Sequence, residues 1–567
     1  MNKVLSIIGL LYTTVSIAQA QNATFEYFSY TGQDARFEQP YNPQTQYQNP
    51  ILAGFYPDPS ICRAGDTYYL VNSSFSFYPG VPIFESKDLV HWSQIGHVLD
   101  RPSQLPLKGQ AVSAGIFAPD IKYHKKTRTF YMITTNVGAG NFFVKTQDPH
   151  QGWSDPIYLP KIDGIDPSFF FDEKTGRAFI VHNAPVMGGH DYEGQRAIRL
   201  LEFDVKGDSI IGEPHQIVRG GTHVEEKPIW IEGPHLYRIG KYYYLMCAEG
   251  GTGDWHSEVI FRASVKADIT QASSWEECPN NPILTQRHLY NYQENPYLPT
   301  DAVTSAGHAD MVQNTQGDWY AVFLGCRAYE GPYYNTGRDT YMLPVSWNDG
   351  WPTILEKDKK LPTVVDAPFV TKSLQYDQLT TGNFSYTDQF DTPDLHHRWM
   401  KLRNPSSFYS TGNGKLTITP KSVNIRQRES PSAVFCRQQH THFTAETEIS
   451  FAPKSNKDLA GLVLLQNETY NFVYGLTMLA DNQLALTLTR SEKTPVMIAS
   501  AQISQGKNIR LKIIGHGRYY DFLYAEENTP WKVLAQGVDA INLSTARSDG
   551  FIGACIGLYA TCANGSD

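Results

Sequence analysis

An aromatic β-strand pattern recurs five times in the first two thirds of the chain, and this repeat constrains the fold more than any other feature. Each copy is a short alternating run of Tyr, Phe and β-branched residues, which is typical of a strand. The copies begin at Thr67, Thr129, Ala178, Tyr242 and Asp318 and define units of roughly 45 to 75 residues. Repeated units of about four strands are the signature of a β-propeller. The repeat therefore predicts a five-bladed β-propeller over residues 45–365.

A short motif, acidic in most copies, precedes each aromatic strand by about nine to twelve residues. In a propeller the first strand of each blade lines the axial channel, so residues at matching positions converge there. A single Asp-Pro motif indicates only a turn, but its recurrence favours carboxyl groups that converge and shift one another's pKa. The residues at these positions are Asp58, Asp120, Asp166, Glu232, His308 and Asp310.

A different pattern begins near Asp388, where short alternating strands are separated by Gly, Asn and Asp turns. This pattern predicts a β-sandwich over residues 380–567. The acidic motif does not recur there, so the sandwich is expected to pack or bind rather than to catalyse. The predicted fold class is all-β, a five-bladed β-propeller followed by a β-sandwich.

The first 20 residues have the features of a secretory signal peptide. Lys3 precedes a largely apolar run that ends in Ala18-Gln19-Ala20, a small-x-small cleavage pattern. The mature chain is therefore predicted to be exported, to the periplasm or the medium, after cleavage near Ala20. No later stretch reaches ~18 consecutive apolar residues, which argues against membrane insertion. The formal net charge of -9 provides no basic surface for nucleic acid.

Three of the repeated motifs resemble those of glycoside hydrolase family 43. The matching segments are residues 49–61, 164–168 and 231–237. The resemblance covers nearly the whole chain after the signal peptide. It includes the concanavalin-like jelly roll that accompanies the β-xylosidase and α-L-arabinofuranosidase branches. Proteins of this kind usually continue into one more strand, so a further edge strand is expected beyond Asp567.

The resemblance implies a role for three of the carboxyl groups. Asp58 is the expected general base, Glu232 the general acid, and Asp166 the residue that tunes the pKa of the acid and orients the substrate. Asp120, which the repeat alone does not exclude, has no catalytic role in this pattern. The implied mechanism is single-displacement hydrolysis with inversion, in which two carboxyl groups act from opposite sides of the bond.

Four further residues are expected to contact the substrate. Gly337-Arg338-Asp339-Thr340 is similar to the Gly-Arg-Glu-Thr segment of the family, whose Arg contacts the sugar. Phe75 and Phe117 match aromatic positions of the sugar pocket, although ordinary packing is the alternative for both. His308 is interpreted as a polar residue of the channel floor. The alternative is that it holds a water-coordinated structural cation, which a lone His without ligand spacing does not favour. No metal and no required cofactor are predicted.

The function implied by the resemblance is exo-acting, inverting hydrolysis of terminal α-L-arabinofuranosyl residues from plant cell-wall polysaccharide or its oligosaccharides. A β-D-xylosidase acting on xylo-oligosaccharides is the first alternative, because both sugars present similar hydroxyls. Phe117, where many xylosidases have Trp, favours the arabinofuranosidase. The alternative from another class is a non-catalytic carbohydrate-binding propeller, which would need aromatic rings but not three carboxyl groups. The oligomeric state is left open.

Overall fold

The computed structural model describes residues 21–290, 294–367, 369–370, 380–480 and 482–563. The predicted signal peptide and the residues after 563 lie outside the described residues. Strands dominate the described chain, and its only α-helix is the single turn Thr545–Ser548. The short 3-10 turns are Ala35–Glu38, Val224–Glu226, Ala272–Ser274 and Ile541–Leu543. None of these described helices has the length and apolar character needed to cross a bilayer. The all-β prediction is confirmed.

Five antiparallel sheets form the propeller. In blades 2 to 5 the first strand carries the repeated motif, and in blade 1 the motif leads directly into the first strand; the predicted aromatic strand comes second in every blade, as the repeat predicts. The first strands of neighbouring blades contact one another, and that of blade 5 contacts that of blade 1, which closes the ring. The strands are Ser60–Ala64, Thr67–Val71, Gly80–Ser86 and Ser93–Leu99 in blade 1; Ile116–His124, Thr129–Asn136, Gly140–Thr146 and Ile157–Tyr158 in blade 2; Ile165–Phe171, Ala178–Ala184, Ala197–Asp204 and Ser209–Arg219 in blade 3; Glu232–Ile239, Tyr242–Glu249, Ser257–Ser264, Glu276–Glu277 and Leu284–Thr285 in blade 4; and Thr304–Gln313, Trp319–Cys326 and Arg338–Pro344 in blade 5.

The segment before blade 1 fastens the last blade to the first. Leu52 and Thr340 exchange backbone hydrogen bonds, with N to O distances of 3.2 and 3.0 Å. The Asn49 amide bonds to both the backbone carbonyl and the backbone N–H of Met342, at 2.8 and 3.0 Å. Strand Gln46–Gln48 also pairs with Val364–Asp366, which follows the last blade. Blade 5 therefore gains its closing contacts from the other end of the propeller sequence.

Backbone irregularities coincide with the repeated motifs. In blades 2 to 5 the register between the first and second strands shifts at the motif. Asp58, Asp166, Gly233 and His308 have positive φ angles of 51°, 53°, 54° and 56°. Bulges re-aim side chains, and left-handed backbone in residues other than Gly persists only where surrounding structure enforces it. These bulges turn the motif side chains toward the axial channel.

The sandwich consists of two antiparallel sheets with a continuous apolar core. Strand Ala23–Gly32, which sequence analysis assigned to no domain, lies inside the first sheet, where it pairs with His442–Ser450. Its residues Phe25, Phe28 and Tyr30 are fully buried in that core. The first sheet contains Tyr409–Gly412, Lys415–Ile418, Ala23–Gly32, His442–Ser450, Ile509–His516, Tyr519–Glu526 and Lys532–Asp539, with Ser385–Asp388 also paired to Ala23–Gly32; the second contains Ser432–Arg437, Cys555–Thr561, Leu459–Leu465, Asn471–Met478, Leu484–Glu492 and Thr494–Gln502.

The two domains share a buried interface. Phe55, Phe75 and Phe77 of the propeller pack in one apolar cluster with Phe435 and Tyr559 of the sandwich. Two short antiparallel pairs complete the described strands: Phe77–Tyr78 pairs with Lys401–Leu402 across the two domains, and Ser346–Asn348 forms a hairpin with Trp351–Thr353. The strand pair that joins the propeller to the segment entering the sandwich, together with the shared apolar cluster, fixes the sandwich against one face of the propeller.

Two glycines let the backbones of the two domains touch. A Cβ placed on Gly337 would lie 2.7 Å from the Cα of Gly553. A Cβ on Gly553 would lie 2.4 Å from the carbonyl oxygen of Thr336. Only residues without a side chain permit this contact, and it brings the sandwich loop at Phe551 to the mouth of the axial channel.

Candidate active site

A cavity of about 450 Å³ opens at the propeller axis. The structure brings together around it all seven residues that sequence analysis selected. They are Asp58, Phe75, Phe117, Asp166, Glu232, His308 and Arg338. The carboxyl groups come from blades 1, 3 and 4, and Arg338 begins the third strand of blade 5.

Asp58 is held in place by three groups. The Arg338 guanidinium donates to Oδ1 at 2.7 Å, and the Ser73 hydroxyl donates to Oδ2 at 2.6 Å. His308 Nδ1 lies 3.7 Å from Oδ1. Burial by itself would raise the pKa of Asp58, but Arg338, His308 and Ser73 outweigh burial and keep that pKa below its usual value. An ionised carboxylate at neutral pH is suited to accept a proton.

The pKa values of Asp166 and Glu232 are shifted in the opposite direction, upward. Burial, followed by the charge of Asp58, raises the pKa of Asp166 to about 7, although its Oδ2 accepts a hydrogen bond from the Gly233 N–H at 3.1 Å. Burial, followed by Asp166 and Asp58, raises the pKa of Glu232 well above its usual value. Like charges in one small cavity cannot ionise freely together. Glu232 therefore keeps its proton at neutral pH, and the cavity contains both an acid and a base.

His308 lies on the floor of this cavity. Burial lowers the pKa of His308 to about 4, so the imidazole is neutral at neutral pH. A Cβ on Gly233 would lie 2.7 Å from its Nε2, which shows how closely the ring packs on the blade 4 motif. Below the ring a small cavity of about 10 Å³ lies on the axis between the motifs. Such a space is just large enough for one water molecule. The floor thus closes the pocket.

Asp120 belongs to a separate buried cluster and does not line the main cavity. Lys122 Nζ lies 3.0 Å from Asp120 Oδ1 and 2.7 Å from Asp310 Oδ2. His235 Nδ1 is 3.3 Å from Asp120, and the Tyr237 hydroxyl donates to Asp310 at 2.6 Å. Asp120, His235 and Asp310 have the spacing of metal ligands. The ammonium of Lys122 already bridges both carboxylates, however, so the chain itself supplies the cation of this cluster.

Three aromatic residues of the cavity wall were missed by sequence reasoning. Phe551 comes from the sandwich, and its ring stacks on Phe75 at 6.1 Å between centroids. No sequence signal marks it, because the contact exists only after the domains have docked. Trp230 stands two residues before Glu232, and Trp255 ends a Gly-rich loop after the aromatic strand of blade 4. The nearness of Trp230 to Glu232, and of Trp255 to the aromatic strand of blade 4, could have marked both residues in the sequence.

The geometry of the pocket defines a class of protein. A pocket on a propeller axis that combines an ionised carboxylate, a protonated carboxyl group and aromatic walls has the components of a two-carboxyl glycosidase. Residues 47–352 match the family model described as glycosyl hydrolases family 43, and residues 387–567 match that of the beta xylosidase C-terminal concanavalin A-like domain. The chain belongs to glycosyl hydrolases family 43.

Relatives and solved structures agree with this assignment. A xylosidase/arabinosidase of Butyrivibrio fibrisolvens is 38% identical over 521 residues, covering 90% of this chain and 95% of the relative. A non-reducing end alpha-L-arabinofuranosidase of Bacteroides ovatus is 33% identical over 540 residues, covering 91% and 92%. The crystal structure of a GH43_12 protein retrieved from a capybara gut metagenome superposes with a TM-score of 0.86 at 42% identity, covering 95% of this chain and 99% of that chain.

The prediction of a family 43 glycosidase with a C-terminal sandwich is therefore confirmed. The substrate of such an enzyme is a carbohydrate with a glycosidic bond. The family assignment does not support the alternative of a non-catalytic binding propeller.

Proposed function

We propose that the protein removes terminal α-L-arabinofuranosyl residues, with inversion, from plant cell-wall polysaccharide or its oligosaccharides. The observation that carries this proposal is a pocket closed at its floor, in which one carboxyl group is held ionised and another protonated. The bulged motifs and His308 close the inner end of the cavity, where only about 10 Å³ of free space remains. A blind pocket of this kind admits the end of a chain and not its middle.

In the proposed reaction Glu232 donates its proton to the glycosidic oxygen as the bond from that oxygen to the anomeric carbon breaks. Asp58 accepts a proton from a water molecule whose oxygen attacks the opposite face of the same carbon. Burial and the charge of Asp166 keep the pKa of Glu232 high, so that the acid is protonated when the substrate arrives. The products are the free sugar with inverted configuration and the shortened chain, which bears a new hydroxyl group.

The aromatic side of the pocket bears on the choice between the two sugars. Phe117 and Phe551 meet edge to face at 5.4 Å between centroids, and together with Phe75 they form the aromatic side of the cavity. The names of the two curated relatives support both an arabinofuranoside and a xyloside. Phe117 in place of a larger Trp favours the arabinofuranoside, and β-D-xyloside hydrolysis is the second candidate.

The reaction as proposed needs no cofactor, because Asp58, Glu232 and water supply every proton and the nucleophile. A structural cation beside His308 is the alternative, and dialysis against a chelator distinguishes the two. Unchanged turnover supports the cofactor-free reaction, and a loss restored by Ca²⁺ contradicts it. We further propose that the enzyme acts after export, on the basis of the signal pattern in residues 1–20.

Parallel rates on an aryl α-L-arabinofuranoside and an aryl β-D-xyloside test the sugar assignment. We expect the arabinofuranoside to be the better substrate. A clear preference for the xyloside would replace the first candidate with the second. Hydrolysis of neither would refute the proposed function.

A further inference from the structure

A second cavity, of about 650 Å³, lies beside the catalytic pocket. Ile229, Gly250 and Trp255 line both cavities, so the two share a wall. Ligand sites commonly have volumes of roughly 300 to 1,000 Å³. The cavities therefore adjoin, and the second one offers space beside the pocket for the rest of a molecule whose terminal unit occupies the pocket.

Large apolar side chains are exposed where the two cavities meet. Trp255 is 57% exposed, Ile229 40% and Trp230 39%. Trp is usually largely buried, and a cluster of exposed apolar residues on a monomer typically marks a binding site. The flat indole of Trp255 offers a surface on which the apolar face of a sugar ring can lie.

Neighbouring side chains hold these two indoles in place. The His288 ring packs edge-on against Trp255 at 4.9 Å between centroids, and the Arg287 guanidinium lies 5.8 Å from the Trp255 ring. The Arg196 guanidinium lies 5.1 Å from the ring of Trp230. Aromatic rings that are already oriented lose little conformational freedom when a ligand binds.

The backbone of the segment that carries these residues is strained. His223, Lys227 and Trp230 have positive φ angles of 50°, 54° and 51° within eight residues. Such conformations are energetically unfavourable and concentrate at functional sites. The strained segment forms part of the second cavity, which is consistent with a binding role for that cavity.

The charges that line the second cavity are mixed in sign. Lys227, Arg287 and Lys357 are balanced by Glu226, Glu249 and Asp358. A site for a polyanion would be lined by cations of one sign. Mixed polar groups around an exposed indole are suited instead to the hydroxyl groups of a neutral sugar.

We propose that the second cavity binds the leaving group, a neutral sugar chain longer than a single sugar, with Trp255 as the stacking surface. This inference rests on the proposed function and makes it more specific. The protein is then an enzyme for oligosaccharides and polysaccharides rather than for short glycosides. Contacts with the remote sugars stabilise the transition state of the chain substrate, and an aryl glycoside cannot make them.

The test compares kcat/KM on an arabinosylated xylo-oligosaccharide with kcat/KM on the aryl glycoside, and takes the ratio of the two. Trp255→Ala should lower this ratio by roughly three- to tenfold, the range expected for loss of one aromatic contact. His288→Ala removes the edge-on support of the indole together with a side chain that lines the second cavity, and should lower the ratio by about twofold. Tyr158→Ala is the matched control, because Tyr158 is 45% exposed and lies on the outer strand of blade 2. It should leave the ratio unchanged.

An unchanged ratio in Trp255→Ala, or equal losses on the two substrates, would overturn the inference while leaving the proposed function intact. A thermal melt of each variant reports whether it is folded. If the wild-type protein hydrolyses no aryl glycoside, the proposed function fails and not only this extension of it.

Discussion

The substitution Gly553→Ala tests whether sandwich docking controls the catalytic pocket. The new Cβ would lie 2.4 Å from the Thr336 carbonyl oxygen and 2.8 Å from the Gly337 nitrogen, whereas ordinary contact begins near 3.4 Å. The backbones of the two domains must therefore separate by about 1 Å. Phe551 lies two residues before the clash, and Arg338, which pairs with Asp58, directly follows Gly337.

The added methyl group is thus expected to displace Phe551 on one side of the pocket and Arg338 on the other. A misplacement of about 1 Å can cost up to about 100-fold in rate, so we expect kcat/KM on the aryl glycoside to fall by roughly 10- to 100-fold. Overpacking should also lower the free energy of unfolding by about 1 to 3 kcal/mol, which thermal and denaturant melts would measure.

Gly207→Ala is the control for this substitution. Its Cβ also meets an atom at short range, 2.5 Å, but that atom is Oδ2 at the end of the Asp204 side chain, which can move aside. We expect this variant to behave like the wild type. If Gly553→Ala retained the kcat/KM and the melting temperature of the control, the argument that the sandwich completes the pocket would be refuted.

Three further predictions concern the buried charges. Asp166→Asn removes the negative neighbour of Glu232, so the pKa of the acid should fall and the alkaline limb of the kcat/KM profile should move to lower pH; an unmoved limb would contradict the tuning role. The pKa of Glu232 is higher in the folded state than in the unfolded state, so above the unfolded pKa its ionisation opposes folding. Glu232→Gln should therefore melt at a higher temperature than the wild type at pH 8 and at the same temperature near pH 4. A lower melting temperature at pH 8 would be inconsistent with a buried protonated acid. Lys122→Met leaves Asp120 and Asp310 without their shared cation and should cost about 3 to 5 kcal/mol in denaturant unfolding, whereas a loss below about 1 kcal/mol would mean that another cation replaces the ammonium.

The positions of the catalytic candidates could be predicted from the sequence because the repeated units of a propeller are arranged in a ring around one axis. Asp58, Asp166 and Glu232 occupy matching positions ahead of matching strands, and symmetry brings such positions to one axis. The repeat alone does not separate them from Asp120, since the distinction depends on Lys122 and His235, which reach Asp120 only in the folded chain.

The features that sequence analysis missed depend on contacts between distant parts of the chain. Strand Ala23–Gly32 joins the sandwich by pairing with residues more than 400 positions away. Phe551 reaches the pocket only because Gly337 and Gly553 let two backbones touch. The alternation in Ala23–Gly32 predicts a strand but not its partner, and no local pattern marks the approach of Gly337 and Gly553.

The central claim is that Glu232 as acid and Asp58 as base act from opposite faces of the anomeric carbon of a terminal sugar. Nuclear magnetic resonance of the first product formed from the preferred aryl glycoside tests it most directly, provided that spectra are recorded before mutarotation. The account predicts that the sugar appears first with inverted configuration, β-L-arabinofuranose from an α-L-arabinofuranoside. Initial appearance of the retained anomer would contradict it, because retention requires a covalent intermediate on one of the two carboxyl groups.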